Sequence, residues 1–413
     1  MLTAARLGAA ALSAALLAGV AAGPALADVP APTIPDGLYG KSDPTYDGVW
    51  RQSLALTALT AAKVTPADSA VAWLTGQQCE DGGWPSYRAA GAACDAKFED
   101  SNATAVAIQA LVALGGHQEA VDKGVQWLKA SQNTDGSWPY NPGNPGDANS
   151  TGLAVNALFA ARTDPASVAK PSGGKNAFDG LAHFQLGCAA PADQRGAFAY
   201  QPDAATGALA PNSLASAQAA LAAAGGHLPV TTTVRADTKP KALACSDGSA
   251  PTTVPHAEAG EAAGDYLTGQ LAAGGEHLTL TTPGAEPKPD FTATAWAALA
   301  LTQSGHPDQT YGVVDWLEQQ GSTWTKNGTD AGATATLLLV TQATQRDTTD
   351  LTHQLTALGP APKATASASP EASHSAEKKG GGFGQYWVII VGLLIGIGGG
   401  LLLSLQRKRN PNL

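Results

Sequence analysis

Two apolar patterns alternate along residues 40–358. In the first, small uncharged residues run for about a dozen positions without a polar face, as in Asn102-Ala103-Thr104-Ala105-Val106-Ala107-Ile108-Gln109-Ala110-Leu111. A helix that is apolar all round is buried all round. Such stretches cover 48–60, 101–114, 149–161, 212–224, 291–303 and 331–341. The second pattern is amphipathic, as in Glu119-Ala120-Val121-Asp122-Lys123-Gly124-Val125-Gln126-Trp127-Leu128, and it predicts surface helices near 67–78, 118–131, 177–187, 258–271, 310–320 and 347–358. Six buried helices alternating with six half-exposed ones predict an all-α, two-layer closed ring.

The loops between them repeat. Gln78-Cys79-Glu80-Asp81-Gly82-Gly83-Trp84 aligns with Gln132-Asn133-Thr134-Asp135-Gly136-Ser137-Trp138. A degenerate third copy runs from Asp193 to Tyr200, and a fourth reads Gly321-Ser322-Thr323-Trp324. Aromatic residues near the ends of the preceding helices, at 73, 127, 184, 266 and 316, set a period of about fifty with one insertion, near 228–254. Val230-Thr231-Thr232-Thr233-Val234 is the strand-like run of that insertion. Three inner helices stop on glycine followed by His117, His227 or His306. Glycine there is the usual left-handed stop, and a cation is favoured at a helix C-terminus, so these histidines read as structural and no metal site is expected.

The Q-x-x-D-G-[GS]-W loops resemble the QW motifs of the terpenoid cyclase and protein prenyltransferase superfamily, whose members fold as an α6/α6 toroid. The resemblance covers about residues 40–358. It implies that Gln78, Asp81, Gly82 and Trp84, with Gln132, Asp135, Gly136 and Trp138, fasten neighbouring helices. The superfamily's chemistries each need residues that can be sought. A protonating cyclase needs paired acids of the D-x-D-D type, and Phe98-Glu99-Asp100-Ser101-Asn102 is a poor substitute. The D-D-x-x-D signature, a zinc-binding Asp/Cys/His set and a G-C-x-E-Q thioester are not found either. No catalytic residue is therefore assigned.

One constellation stands out. Asp47, Asp100, Asp147, Asp290 and Asp330 each precede an inner helix, and Asn212 holds the sixth equivalent position. These types cap helices, since their oxygens accept orphan backbone N–H groups. Because all outer-to-inner loops emerge at one end of the ring, the six side chains also surround one mouth. There, with Asn102, they form the candidate ligand-binding set. Asp100-Ser101-Asn102-Ala103-Thr104-Ala105 and Asp290-Phe291-Thr292-Ala293-Thr294-Ala295 resemble the helix starts of transcobalamin-like carriers, which implies a corrinoid ligand and no resident cofactor. Those carriers close over the ligand with a second domain; here the mouth stays open or a partner completes it. Trp50 and Trp296 lie on inner helices, where core packing is the expected role.

Composition sets the remaining limits. Charged residues make up 14% of the 413-residue chain, well below the usual quarter, and the net charge is −10. Four of the cations, Arg6, Arg407, Lys408 and Arg409, lie in the terminal segments. So acidic a body repels phosphate backbones, which excludes nucleic-acid binding. Four cysteines allow three pairings, and nearest-neighbour pairing gives Cys79–Cys94 and Cys188–Cys245. Residues 1–27 read as a secretory signal with Ala25-Leu26-Ala27 at its end, followed by a short extension over 28–39. An Ala/Ser/Pro/Gly stalk is expected over 360–385 and a transmembrane helix over 386–405, with a basic cytoplasmic tail over 406–413. This topology places the ring outside the cell on a single-pass anchor. Gly392, Gly396 and Gly400 provide a face for homodimerisation or for lipid contact alike. The expected function is extracellular ligand capture for uptake, with a membrane transporter as a candidate partner. Two alternatives stand beside it: a surface interaction protein without a small ligand, and an (α/α)6 polysaccharide-active enzyme.

Overall fold

The inner helices are α1 (Gly48–Ala61), α3 (Ser101–Leu114), α5 (Ala148–Ala160), α7 (Ser213–Ala223), α9 (Phe291–Gln303) and α11 (Ala331–Ala343). The outer ones are α2 (Asp68–Gly76), α4 (Gln118–Ser131), α6 (Ala177–Ala182), α8 (His256–Gly274), α10 (Tyr311–Trp324) and α12 (Thr349–Ala357). This computed structural model describes residues 34–171, 173–236, 238–245, 254–281 and 286–364. Within them each inner helix packs on the next, and α11 returns to pack on α1, so the inner ring is closed. Outer helices sit over the seams: α4 touches α3 and α5, α8 touches α7 and α9, and α12 touches α11 and α1. The chemistry behind the layering is plain in α9, where every residue from Ala293 to Thr302 is buried, compared with five of fourteen in α4.

The motif loops fasten the two layers. Gln78 Nε2 donates to Gly82 O and to Ala120 O on α4, while Trp84 Nε1 donates to Leu74 O on α2 at 2.9 Å. Gln132 and Trp138 repeat this, to Gly136 O and Val168 O and to Leu128 O. Both indoles are fully buried. Gly136 has φ +87°, and a Cβ there would sit 2.1 Å from Asn176 O at the start of α6. Gly136→Ala is therefore expected to lose more than about 2 kcal/mol in chemical denaturation. Gly91→Ala has a similar φ of +76° but open space around it, and should lose only the left-handed strain of about 1 kcal/mol. Equal losses would show that backbone strain, not the helix contact, decides.

Several boundaries differ from expectation. The third outer helix ends at Ala182 rather than 187, because Gln185 and Phe198 form a bridge that starts the next motif loop. In that loop Gln185 Nε2 donates to Gly196 O and Ala259 O, so it is the third fastening glutamine. Seven extra residues, including Cys188, separate it from its glycine and hide it from the motif. Gly321-Ser322-Thr323-Trp324 is no loop; it is the last turn of α10. The strand-like run 230–234 forms no strand. The two-stranded ladder lies instead at Thr279–Leu280 with Lys288–Pro289.

The insertion has another role. The chain leaving α7 turns so that Leu228 N donates to Gln109 Oε1 on α3, on the far side of α5. It then reaches the turn that follows α9, where Ala236 N donates to Gly305 O. The segment thus straps the end of the ring opposite the mouth. Cys79–Cys94 and Cys188–Cys245 are both bonded. Among the described residues no helix is long and apolar enough to cross a membrane. The signal at 1–27, the span at 386–405, its glycines and the basic tail lie outside the described residues, as does most of the stalk.

Candidate functional site

A cavity of about 710 Å³ opens at the end of the ring where the inner helices begin. Asp47, Asp100, Asp147, Asn212 and Asp290 line it, with Asn102 beside them. Five of the six expected caps hold their helices. Asp100 Oδ1 accepts from Asn102 N and Ala103 N, Asp147 Oδ1 from Ser150 N, Asn212 Oδ1 from Ala215 N, Asp290 Oδ1 from Ala293 N, and Asp330 Oδ1 from Ala333 N. Asp47 departs from the pattern. It makes no cap bond, and its Oδ1 accepts from Arg51 Nη1 at 2.8 Å.

Asp330 is the one predicted residue that does not line the cavity. Its sector is filled by buried Arg51, which donates to Tyr39 O and Ser42 O, and by the chain near Gly40, which lies against Ala331. Lys326 Nζ pairs with Asp330 Oδ2 at 2.9 Å from outside. The cavity is therefore asymmetric, with Trp50 in its wall rather than in the core as expected. Trp296 does take the core role, fully buried with its ring centroid 6.4 Å from that of Trp50.

The site is anionic. Among the described lining residues there is no lysine, arginine or histidine. Burial pushes the carboxyls of Asp100, Asp147, Asp290 and Asp47 above the ordinary aspartate value. At Asp330 burial acts the same way, but the Ala333 N–H and Lys326 outweigh it and hold the carboxyl below that value. Tyr140 is pushed up to about 12 by burial and by the nearby Asp100, and stays a neutral hydroxyl. Its Oη lies 3.1 Å from Ser86 Oγ, which donates to Asp100 Oδ2. Asn102 Oδ1 is a buried acceptor without a partner among the described residues.

Glu99 and Asp100 do not form a catalytic acid pair. Asp100 has extended backbone (φ −128°, ψ 119°), which turns successive side chains to opposite faces. Asp100 enters the cavity, while Glu99 turns back into the first motif loop to accept from Trp127 Nε1. Other lining residues escaped the sequence pattern. Gln218, which accepts from Asn149 Nδ2, is visible only as a polar break in an apolar helix. Tyr46 belongs to a loop and Leu280 to a two-residue strand, neither of which has a helical period.

The closed double ring and its fastening loops resemble the toroids of the terpenoid cyclase and prenyltransferase superfamily. Residues 36–153 match the family model of the squalene-hopene cyclase C-terminal domain. A squalene-hopene cyclase of Zymomonas mobilis is 38% identical over 101 residues, which cover 22% of this chain and 15% of that protein. The chain thus matches well under two thirds of that relative's length. A crystal structure of a protein from Actinoplanes aligns with 75% of this chain and 94% of its own, at 16% identity and a TM-score of 0.44.

Proposed function

We propose that the toroid is a non-catalytic capture domain, displayed outside the cell on the C-terminal anchor, that takes a donor-rich small molecule at its mouth. The convergence of four helix-capping side chains, Asp47 and an aromatic rim on one open cavity carries this reading. A volume of about 710 Å³ lies within the usual range for ligand sites. The wall offers mainly oxygen acceptors, with aromatic and leucine faces between them, and so suits a ligand edged with N–H or O–H groups. A corrinoid, whose amide fringe supplies such donors around a flat ring, is the ligand class we favour. An open mouth also suits hand-over to a membrane transporter.

Cyclase chemistry, which the name of the Zymomonas relative suggests, is not proposed. The acids that would have to act together face opposite ways at Glu99 and Asp100, and of the carboxylates at the mouth Asp100, Asp147 and Asp290 accept helix amides while Asp47 pairs with Arg51. The test is equilibrium dialysis of the full-length chain in detergent against cyanocobalamin. Saturable binding is expected, with a thermal stabilisation that grows with free ligand. No retention and no thermal shift at millimolar cyanocobalamin would overturn the corrinoid reading.

A further inference from the structure

The motif loops do more than fasten helices. In four successive repeats one residue is gripped from both sides by the next inner helix: Trp84, Trp138, Phe198 and Leu278. Its N–H donates to a hydroxyl one turn into that helix, on Thr104, Thr151, Ser216 and Thr294 respectively, at 2.8–3.0 Å. Its C=O accepts the N–H of the capping residue, Asp100, Asp147, Asn212 or Asp290, at 2.8–3.0 Å. Two residues further on stand Ser86, Tyr140, Tyr200 and Leu280, and all four line the cavity. Three of them are held a second time, because Ser86 O accepts the N–H of Val49 in α1, and Tyr140 O and Tyr200 O accept the first N–H of α3 and α5, on Ser101 and Ala148.

Every bond in this device uses the backbone of the gripped residue and of the rim residue, so neither side chain is needed to make it. The rim side chain is therefore placed by the fold yet left free to vary, and it does vary, from serine through tyrosine to leucine. We propose that these four rim positions are the specificity-determining residues of the mouth. Tyr140 and Tyr200 form its ring-stacking sector, and Ser86 and Leu280 set the polarity on either side. The inference rests on the capture reading above. It adds that the ligand lays a flat face on the α3–α7 side of the mouth, with its donor-bearing edge toward the caps.

The full-length chain and its Tyr140→Ser, Tyr200→Ser and Phe98→Ser variants distinguish the two ideas, with cyanocobalamin as the probe in equilibrium dialysis. Phe98 is the control, an exposed aromatic that does not line the cavity. Each tyrosine variant is expected to weaken binding by about fivefold or more, and Phe98→Ser to leave it unchanged. The amides of Ser101 and Ala148 should keep their hydrogen-exchange protection in the tyrosine variants, since their acceptors are carbonyls. Wild-type affinity in both tyrosine variants overturns the specificity assignment and leaves the capture reading standing. Loss of that amide protection overturns it too, by making the rim side chains structural. A wild-type chain that does not retain cyanocobalamin overturns the reading beneath both.

Discussion

Trp138→Ala should lower the stability of the toroid by about 3–5 kcal/mol, the range for emptying a fully buried indole site. Three observations support the upper half of that range. The side chain is completely buried, its Nε1 donates to Leu128 O at 2.7 Å, and the loop around it carries the Gln132 and Gly136 contacts to α6 and to Val168. Removing the indole leaves a void and takes one donor from Leu128 O, which keeps the N–H of Gln132 and the hydroxyl of Ser131. Trp138→Phe keeps most of the packing and should cost clearly less. Trp50→Ala is the contrasting case. Trp50 is partly exposed in the cavity wall, so its loss should fall well short of Trp138→Ala in urea denaturation. If the two cost the same, the motif tryptophan is no fastener.

Glu99→Gln should stabilise the protein at alkaline pH and leave it unchanged in acid. Glu99 is buried, and burial raises its carboxyl to about 7. Trp127 Nε1 works against that rise, while the neighbouring Asp81 and Asp95 add to it. The unfolded chain titrates near the ordinary value of 4.5. Between about pH 4.5 and 7 the folded state therefore holds more protons than the unfolded one. Stability then falls as pH rises through that window, and the full penalty is present above it. At 1.36 kcal/mol per unit the penalty is on the order of 3 kcal/mol. A glutamine keeps an oxygen for Trp127 and offers an amide to Asp81, so it removes the charge without the contacts. The expected gain at pH 8 is about 1–3 kcal/mol over wild type, shrinking to zero near pH 4.5. A variant less stable than wild type at pH 8 would mean that the carboxylate is accommodated.

The layering of the ring is legible along the chain because full burial forbids charge. α3, α4 and α9 begin and end where the apolar pattern does, and the caps Asp100, Asp147, Asn212, Asp290 and Asp330 follow from their place before each inner helix. Both disulfides also follow from spacing. The third motif copy is only half legible, because Gln185 is separated from Gly196 by an inserted segment.

The sequence by itself determined that twelve helices alternate in burial, that two clean loops fasten them, and that acceptors stand at every inner-helix start. These are local matters of period, charge and capping chemistry. Only the tertiary structure decided which acceptors share a cavity. Asp330 is excluded because Arg51 and the chain near Gly40 fill its sector, a contact between segments about 290 residues apart. It also decided that Phe198 and Leu278 stand where Trp84 and Trp138 do, since the bonds that hold them belong to backbone atoms common to all these residues. The loops from gripped residue to cap, 84–100, 138–147, 198–212 and 278–290, differ in length. No fixed spacing could therefore mark the rim, and the folded ring brings it together by pinching each loop at its base.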